Sequence, residues 1–483
     1  MWKQEPVVAG WRPFYSLAFV AVGVLTASAV VPNLLDLADS SGAIGTYNTA
    51  GAIDTSNPFF ESLGTNGRSC ATCHLIGDGM GLSSASAGAL FTKTSGHDPL
   101  FADVDGANCR GVDREDADAH SLLTGHGLIR VELPIPADAE YTVETVYDPY
   151  GCADAVNAQT GQRMLSQYRR PLPSTNLGFL SAVMFDGRET VAPLNNPATF
   201  NANLVADLTH QAIDATLGHA EAAAAPTAEQ AAAIVKFELG LFSAQSQDNG
   251  AGALNTRGAN GGPGRLASQE YYPGINDSLG GNPTGTAFST DVFKLFGAWS
   301  ELSGSKGQSQ AREQIAAGEK LFNTFPLTIR NVGGLNDALN VTAIPGTCTT
   351  CHDTPNVGNH SLPVPLDIGI GHSVVFESNT AIENALAALN MPDLPIFKVT
   401  CTTATPPRSV FVNDLGKALV SGLCADLIRV KGPILRGLAA RAPYFHNGAA
   451  ATLQQVVNFY DERFAMQLTD EQKQQLEAFL GSL

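Results

Sequence analysis

Two short cysteine–histidine motifs carry the strongest chemical signal in this sequence. Cys70-Ala71-Thr72-Cys73-His74, the first motif, is repeated in pattern by Cys348-Thr349-Thr350-Cys351-His352, the second motif. Two thiols at this spacing can each form a thioether bond with a vinyl group of haem, and the histidine that follows is then held as an axial ligand of the iron. A zinc site or a redox dithiol does not require a histidine at the same place twice. The motifs therefore predict two covalently bound haem c groups, with the four cysteines as attachment points and His74 and His352 as iron ligands.

Composition limits the classes of partner. The chain has 483 residues, a formal net charge of −18 and 48 glycines. This length allows two or three domains, and the glycine content is typical of a loop-rich protein around buried cofactors. The acidic balance argues against nucleic acid as a partner. It suits a basic electron-carrier protein or a small neutral oxidant.

Four cysteines lie outside the two motifs. The even remainder predicts the disulfides Cys109–Cys152 and Cys401–Cys424, which implies an oxidising compartment. The N-terminus agrees, because Lys3 and Arg12 precede an apolar run over residues 14–31. Residues 1–32 therefore read as a signal peptide cut after Ala29 or, alternatively, as an uncleaved anchor to the inner membrane. Either interpretation predicts a periplasmic protein.

The remaining pattern predicts how the two motifs are positioned. Residues 76–168 have few periodic apolar runs and read as a long looped insertion over the first haem. A helix is expected over 204–225, and the capping boxes that begin at Thr227 and Thr469 predict two more. The Gly-rich stretch within 249–311 reads as a linker. The predicted fold is mainly α, with two tandem cytochrome-c-like haem domains, 33–248 and 312–483, long loops and a large loop insertion in the first.

Three further stretches resemble the bacterial dihaem cytochrome c peroxidase family, which also holds the dihaem enzyme that matures methylamine dehydrogenase. They are Phe185-Asp186-Gly187-Arg188, Gly318-Glu319-Lys320-Leu321-Phe322, and Lys431-Gly432-Pro433-Ile434-Leu435-Arg436 with Ala442-Pro443-Tyr444-Phe445-His446-Asn447-Gly448. The resemblance leaves out the insertion and the linker. It implies an oxidoreductase of the cytochrome-c peroxidase type, in which hydrogen peroxide reacts at the N-terminal haem. A small cytochrome c or a cupredoxin would supply electrons through the C-terminal haem.

The resemblance also implies roles for single residues. Glu221 matches a distal glutamate that handles protons, and His219 could do the same work or ligate the iron. Arg436 matches an arginine beside a haem propionate. His446 is expected to be structural. The family often holds calcium near the residue that corresponds to Pro443 and often forms homodimers, so calcium and a homodimer are further expectations.

Two departures from the family pattern concern the sixth ligand of the second haem and the residue between the two haems. Tyr460 stands where the peroxidases have a methionine as sixth ligand, and a phenolate stabilises ferric iron more strongly than a thioether does. The methylamine-dehydrogenase-maturing enzyme has a tyrosine there, so the chain looks closer to that branch. Met391 and Met466 are the alternative ligands. Phe185 replaces the family's tryptophan between the haems, which disfavours stepwise hole transfer through this position.

Two other interpretations are compatible with the sequence. One is a dihaem electron carrier in which both irons are six-coordinate. The other is a dihaem oxygenase in which the insertion forms a pocket for an organic substrate. An open coordination position on the first haem would argue against the electron carrier. An apolar channel from the insertion to the iron would favour the oxygenase.

Overall fold

The computed structural model describes residues 30–31, 33–158, 160–302, 306–373, 375 and 379–483. The predicted leader lies outside these residues, apart from Val30–Val31, which pair with Ile53–Asp54. Within the described ranges, no helix is both long enough and apolar enough to cross a membrane.

Ten α-helices are present in the described residues. The two predicted capping boxes are confirmed, because the Thr227 and Thr469 hydroxyls each accept a hydrogen bond from the backbone amide three residues on. The helix expected over 204–225 begins and ends earlier than predicted. The helices are α1 Ser84–Thr94, α2 Ser121–His126, α3 Phe200–Gly218, α4 Ala228–Leu239, α5 Pro263–Leu266, α6 Gln308–Thr324, α7 Thr380–Ala387, α8 Ala418–Ser421, α9 Leu453–Phe464 and α10 Asp470–Gly481.

The early end of α3 has a local cause. The carbonyl oxygen of Ala220, just beyond the helix, accepts a hydrogen bond from the Thr65 amide at 3.0 Å. A Cβ atom on the adjacent Gly64 would lie only 1.8 Å from that oxygen, so this approach requires glycine. The chain is thereby drawn out of the helix beside the first motif.

Fourteen strands form five small sheets in the described residues, and all of the pairings are antiparallel. The sheets have the orders β1-β4, β10-β9-β3-β2, β11-β12, β14-β13-β6 and β5-β8-β7. The strands are β1 Val30–Val31, β2 Leu34–Ala38, β3 Gly42–Asn48, β4 Ile53–Asp54, β5 Ile129–Pro134, β6 Tyr141–Tyr147, β7 Asp154–Val156, β8 Arg163–Arg169, β9 Leu241–Asp248, β10 Gly252–Ala253, β11 Leu327–Ile329, β12 Ile344–Gly346, β13 Ile396–Cys401 and β14 Arg408–Val412.

The prediction of a mainly α fold of two tandem cytochrome-c-like domains is wrong. In the structure as described, helices of all types account for 30% of the residues and strands for 16%, so the fold is mixed α and β. Much of the difference lies in the insertion 76–168, predicted as loops, which contains α1, α2 and β5 to β8. Six of the seven residues of β6 are β-branched or aromatic, which is a strand composition.

The insertion also does more than cover the first motif. Strand β6 pairs with β13 over six residues, with Val143 opposite Val399, so it extends a sheet of the C-terminal half. The two cysteine pairs predicted as disulfides flank this region, with Cα–Cα distances of 6.0 Å for Cys109–Cys152 and 5.9 Å for Cys401–Cys424. The insertion thus joins the N-terminal and C-terminal halves of the chain through strand pairing.

The segment predicted as a linker contributes to a hydrophobic core. Phe293, Phe296 and Trp299 are fully buried and pack with Phe322 of α6 and Phe479 of α10. The contact between α6 and α10 requires Gly318, because a Cβ atom there would lie 1.9 Å from the Gln475 carbonyl oxygen. The division of the chain at 249–311 stays a prediction.

Candidate functional site

Both motifs face a single cavity of about 430 Å³. The cysteines and the histidine of each motif lie on its wall, together with side chains from α3, α4, α9 and the 430–446 segment. Most of the rest of the wall is aliphatic or aromatic. A cavity that is apolar in the main and has a few polar groups is typical of a cofactor site.

The local geometry of the two motifs is the same. Each begins with a short 3-10 turn, Cys70–Thr72 or Cys348–Thr350, in which a threonine hydroxyl accepts a hydrogen bond from the backbone amide three residues earlier, at 3.0 Å in both. The amides of His74 and His352 then donate to the carbonyl of the first cysteine of their motif. This repetition shows that the five-residue pattern sets the backbone.

The motif histidines are oriented as metal ligands would be. Nδ1 of His74 lies 3.2 Å from the Met80 carbonyl oxygen, and Nδ1 of His352 lies 2.6 Å from the Gly358 carbonyl oxygen. Donation from Nδ1 leaves Nε2 unprotonated and free to bind a metal ion. Burial lowers the pKa of His74 to about 4 and also lowers the pKa of His352, so both rings favour the neutral form that ligates.

The four motif cysteines are free thiols, so they do not form a disulfide within either motif. Burial raises the pKa of Cys73 to about 11 and that of the other three to about 12. The raised pKa values favour the neutral thiols at pH 7, and all four line the largely apolar cavity.

Buried cations around the cavity provide a test of whether haem fits. Arg170, Lys431 and Arg441 line the cavity, and Arg436, which follows the lining residue Leu435 in sequence, is buried. Among the described residues, none of the four has a carboxylate within 4.0 Å, and Arg170 Nη1 and Arg436 Nε and Nη2 have no hydrogen-bond partner. Burial lowers the pKa of Lys431 to about 7 and that of Arg436 to about 9. Buried unpaired cations are costly, and the propionates of a haem would supply the missing anions. The residues fit the group.

An ion-pair network lies beside the first motif. Asp105 bonds to both Arg68 and Nδ1 of His219, and the Arg68 and Asp105 side chains are almost completely buried. Burial alone would raise the pKa of Asp105, but the positive charges of Arg68 and then His219 outweigh it and lower that pKa. His219 lines the cavity, and its charge also lowers the pKa of His74. The network holds one imidazole at the cavity wall near the first motif.

The other predicted distal residue, Glu221, lies elsewhere. It is exposed, outside the cavity-lining set, and its Oε2 accepts a hydrogen bond from Asn66 at 3.2 Å. Of the histidines in the insertion, His97 is exposed, whereas His120 and His126 point Nδ1 at backbone carbonyls. None of these three lines the cavity. The proton-handling role of Glu221 stays a prediction.

Tyr460 lines the cavity near the second motif. Burial raises the pKa of its hydroxyl, and the nearby Cys351 and Cys348 raise it further. Met466 also lies on the cavity wall, whereas Met391 packs in a hydrophobic cluster and is absent from the wall. Of the two methionines considered as alternative ligands to Tyr460, only Met466 lines the cavity.

The turn that contains Phe185 lies on the cavity wall between the motifs. The Phe185 ring packs edge-on against His446, with ring centroids 5.9 Å apart. Next to it, Asp186 bonds to Arg169, which also forms a two-point contact with Asp414 at 2.6 and 2.8 Å. All of these side chains are buried. Pro171 and Pro443 also line the cavity, and a calcium ion in their neighbourhood stays a prediction.

Sequence reasoning missed several polar residues of the wall: Arg68, Asp105, Arg170, Glu238 and Lys431. Glu238 had a detectable signal, because it is an acidic residue between the apolar residues Phe237 and Leu239 in a helix whose apolar positions are too dense for a single buried face. Burial raises its pKa to about 7. Asp105 had no detectable sequence signal, because its partner His219 is 114 positions away.

The comparisons with known proteins agree with this site in part. No family model matches the chain. The chain is 30% identical over 147 residues to the cytochrome-c peroxidase IdrP2 of Denitromonas iodatirespirans. The aligned part is 29% of this chain and 36% of that protein, so the chain spans about a third of the length of the curated relative it matches.

Proposed function

We propose that the chain is a periplasmic dihaem c-type oxidoreductase that reduces hydrogen peroxide, or uses it to oxidise a partner, at the N-terminal haem. The observation that carries this proposal is the single cavity that both Cys-x-x-Cys-His motifs face. In each motif Nδ1 of the histidine contacts a backbone carbonyl oxygen, and the polar side chains near the first motif differ from those near the second. The similarity to part of a cytochrome-c peroxidase supports the same class.

The chain's own residues would hold the two groups. The motif cysteines would bind them covalently, His74 and His352 would be the proximal ligands, and the four buried cations would pair with propionates. When bound, haem supplies the one-electron chemistry that peroxide reduction needs. The protein supplies ligand choice, a dry apolar wall and proton transfer.

His219 is the proton-transfer group that the geometry favours over Glu221. Its Nδ1 is held by Asp105, which fixes the ring and leaves Nε2 toward the cavity. His219 would accept a proton from the attacking peroxide and return it to the leaving oxygen. Peroxide takes two electrons and two protons and leaves as two water molecules. Electrons would come from a small cytochrome c or a cupredoxin through the C-terminal haem.

Tyr460 is the proposed sixth ligand at the second motif. Its side chain lines the cavity and lies close to Cys348 and Cys351. A phenolate ligand lowers the potential of a ferric haem. This feature supports the resemblance to the methylamine-dehydrogenase-maturing branch and would let the second site store an oxidising equivalent.

Electron paramagnetic resonance of the ferric protein, with and without hydrogen peroxide, tests the proposal. We expect a high-spin signal from the first haem that peroxide abolishes. Two low-spin signals that do not respond to peroxide, even after partial reduction, would instead identify an electron carrier.

A matched pair of variants tests the role of His219. His219→Gln should lower the rate of peroxide reduction by about 10²- to 10⁴-fold, as expected for loss of a general acid–base group. His97→Gln makes the same change at an exposed position and should leave the rate unchanged. Equal rates for the two variants would remove His219 from the mechanism, and a loss in Glu221→Gln would restore Glu221.

A further inference from the structure

A second polar cluster lies beside the second motif, where the loop that follows the motif meets the Gly-rich segment before α6. Asp277, Asp353 and His360 are 1%, 0% and 3% exposed, and one donor atom from each lies within 4.8 Å of the others. Nδ1 of His360 is 3.4 Å from Asp353 Oδ2 and 3.9 Å from Asp277 Oδ1. Two carboxylates and an imidazole thus converge in the interior.

Backbone amides fix the orientation of both carboxylates. Asp277 Oδ2 accepts hydrogen bonds from the amides of Gly281 at 2.6 Å and Leu279 at 3.1 Å. Asp353 Oδ1 accepts one from the Ser361 amide at 2.7 Å. Asp277 Oδ1, which faces the imidazole, has no hydrogen-bond partner among the described residues. A buried carboxylate oxygen without a partner is costly unless a cation meets it.

The charge balance of the cluster points the same way. No lysine or arginine among the described residues forms an ion pair with Asp277 or Asp353. The Leu362 amide donates a hydrogen bond to His360 Nδ1 at 3.3 Å, so this nitrogen, which lies beside both carboxylates, carries the lone pair of the ring and not its proton. A divalent cation would supply the positive charge that is missing beside these carboxylates.

We infer that Asp277, Asp353 and His360 form a binding site for a divalent first-row transition cation. Two carboxylate oxygens and one imidazole nitrogen are donors that Zn²⁺, Mn²⁺ or Fe²⁺ accepts, whereas a site for Ca²⁺ or Mg²⁺ would be built of oxygen donors alone. The remaining coordination positions would go to water or backbone oxygen.

The bound cation would join two distant segments. Asp353 directly follows His352, and Asp277 belongs to the Gly-rich segment before α6. The loop from 353 to 361 also contains Gly358, whose carbonyl oxygen binds His352 Nδ1. The cation would therefore hold the loop that orients the proximal histidine of the second motif.

Metal content of the haem-loaded protein, produced in zinc-supplemented medium, tests the site independently of catalysis. Elemental analysis should find about one zinc per chain in addition to haem iron. Asp277→Asn and His360→Gln should each weaken Zn²⁺ binding by roughly tenfold or more. Asp470→Asn makes the same charge change at an exposed position on α10 and should bind zinc as the parent chain does.

The proposal is overturned if the parent protein holds no zinc as purified and binds none when titrated with Zn²⁺ after chelation. It is also overturned if both site variants retain zinc at the level of Asp470→Asn. Because the titration uses the parent chain, it decides the question even if a variant does not fold. Peroxide activity does not enter either measurement, so a failure here leaves the proposed function unaffected.

Discussion

Replacing Arg169 by methionine should destabilise the protein strongly and shift the turn between the two motifs. Arg169 ends β8 and pairs with Asp414 and Asp186, and all three residues are at most 3% exposed. Methionine keeps much of the side-chain volume but removes the cation. Asp186 retains Arg188 at 3.2 Å, whereas Asp414 is left with the Gly416 amide at 2.7 Å and with His446 Nε2 at 3.6 Å, and no other arginine or lysine among the described residues pairs with it.

The magnitude follows from the state of Asp414. Burial alone would raise its pKa, but the charge of Arg169 outweighs burial and lowers that pKa from 3.8 to about 2. This shift corresponds to about 2 kcal/mol of folding free energy at neutral pH. Breaking a buried pair from one side typically costs about 3–5 kcal/mol, because the remaining charge stays buried. We therefore expect Arg169→Met to lower the free energy of unfolding by about 3 kcal/mol at pH 7.

Guanidinium-induced unfolding of the haem-loaded protein, followed by far-ultraviolet circular dichroism, measures this loss. Arg163→Met is the matched control, since Arg163 begins the same strand and pairs with Asp154 in a half-exposed contact that is worth at most about 1 kcal/mol. The stabilisation by Asp414 is complete above pH 3.8 and is lost as the pH falls toward 2, so the difference between parent and Arg169→Met should shrink below pH 4. Equal losses for the two variants, or a difference independent of pH, would refute the reasoning.

Three further outcomes are expected. The pKa of Glu238 is raised to about 7, so the stability of the parent falls as the pH rises from about 4.5 through 7. Glu238→Gln removes this ionisation, and its free energy of unfolding should rise relative to that of the parent by up to about 3 kcal/mol between pH 5 and pH 8 in the same assay. Replacing both Cys109 and Cys152 by alanine removes a disulfide that closes a loop of sequence separation 43, and should lower the free energy of unfolding by about 4 kcal/mol. If reduction of the parent protein with dithiothreitol does not change its stability, the prediction is wrong. Tyr460→Phe should change the ferric spectrum of one haem and raise its potential, whereas Met466→Leu should do neither; the reverse result would make the methionine the ligand.

The parts of the site that could be predicted from sequence are those that short segments determine. The turn of each Cys-x-x-Cys-His motif and the capping boxes at Thr227 and Thr469 depend on residues within five positions of one another. The pairing of β6 with β13 joins residues about 250 positions apart, and the contact of Asp105 with His219 spans 114. No local pattern specifies such partners, so the fold class was wrong where long-range strand pairing decides it.

The two motifs differ in the residues around them, and the two distinct chemical roles that we propose depend on this difference. Their proximal sides are nearly the same, with an aromatic ring against each histidine: Phe59 against His74 and Phe322 against His352. The differences lie in the rest of the wall. Near the first motif, Asp105 bonds to both Arg68 and His219, whereas Tyr460 lines the cavity near the second motif. The rest of the chain thus gives one local motif, used twice, two different sets of neighbours, and the separate roles that we propose for the two sites rest on this difference.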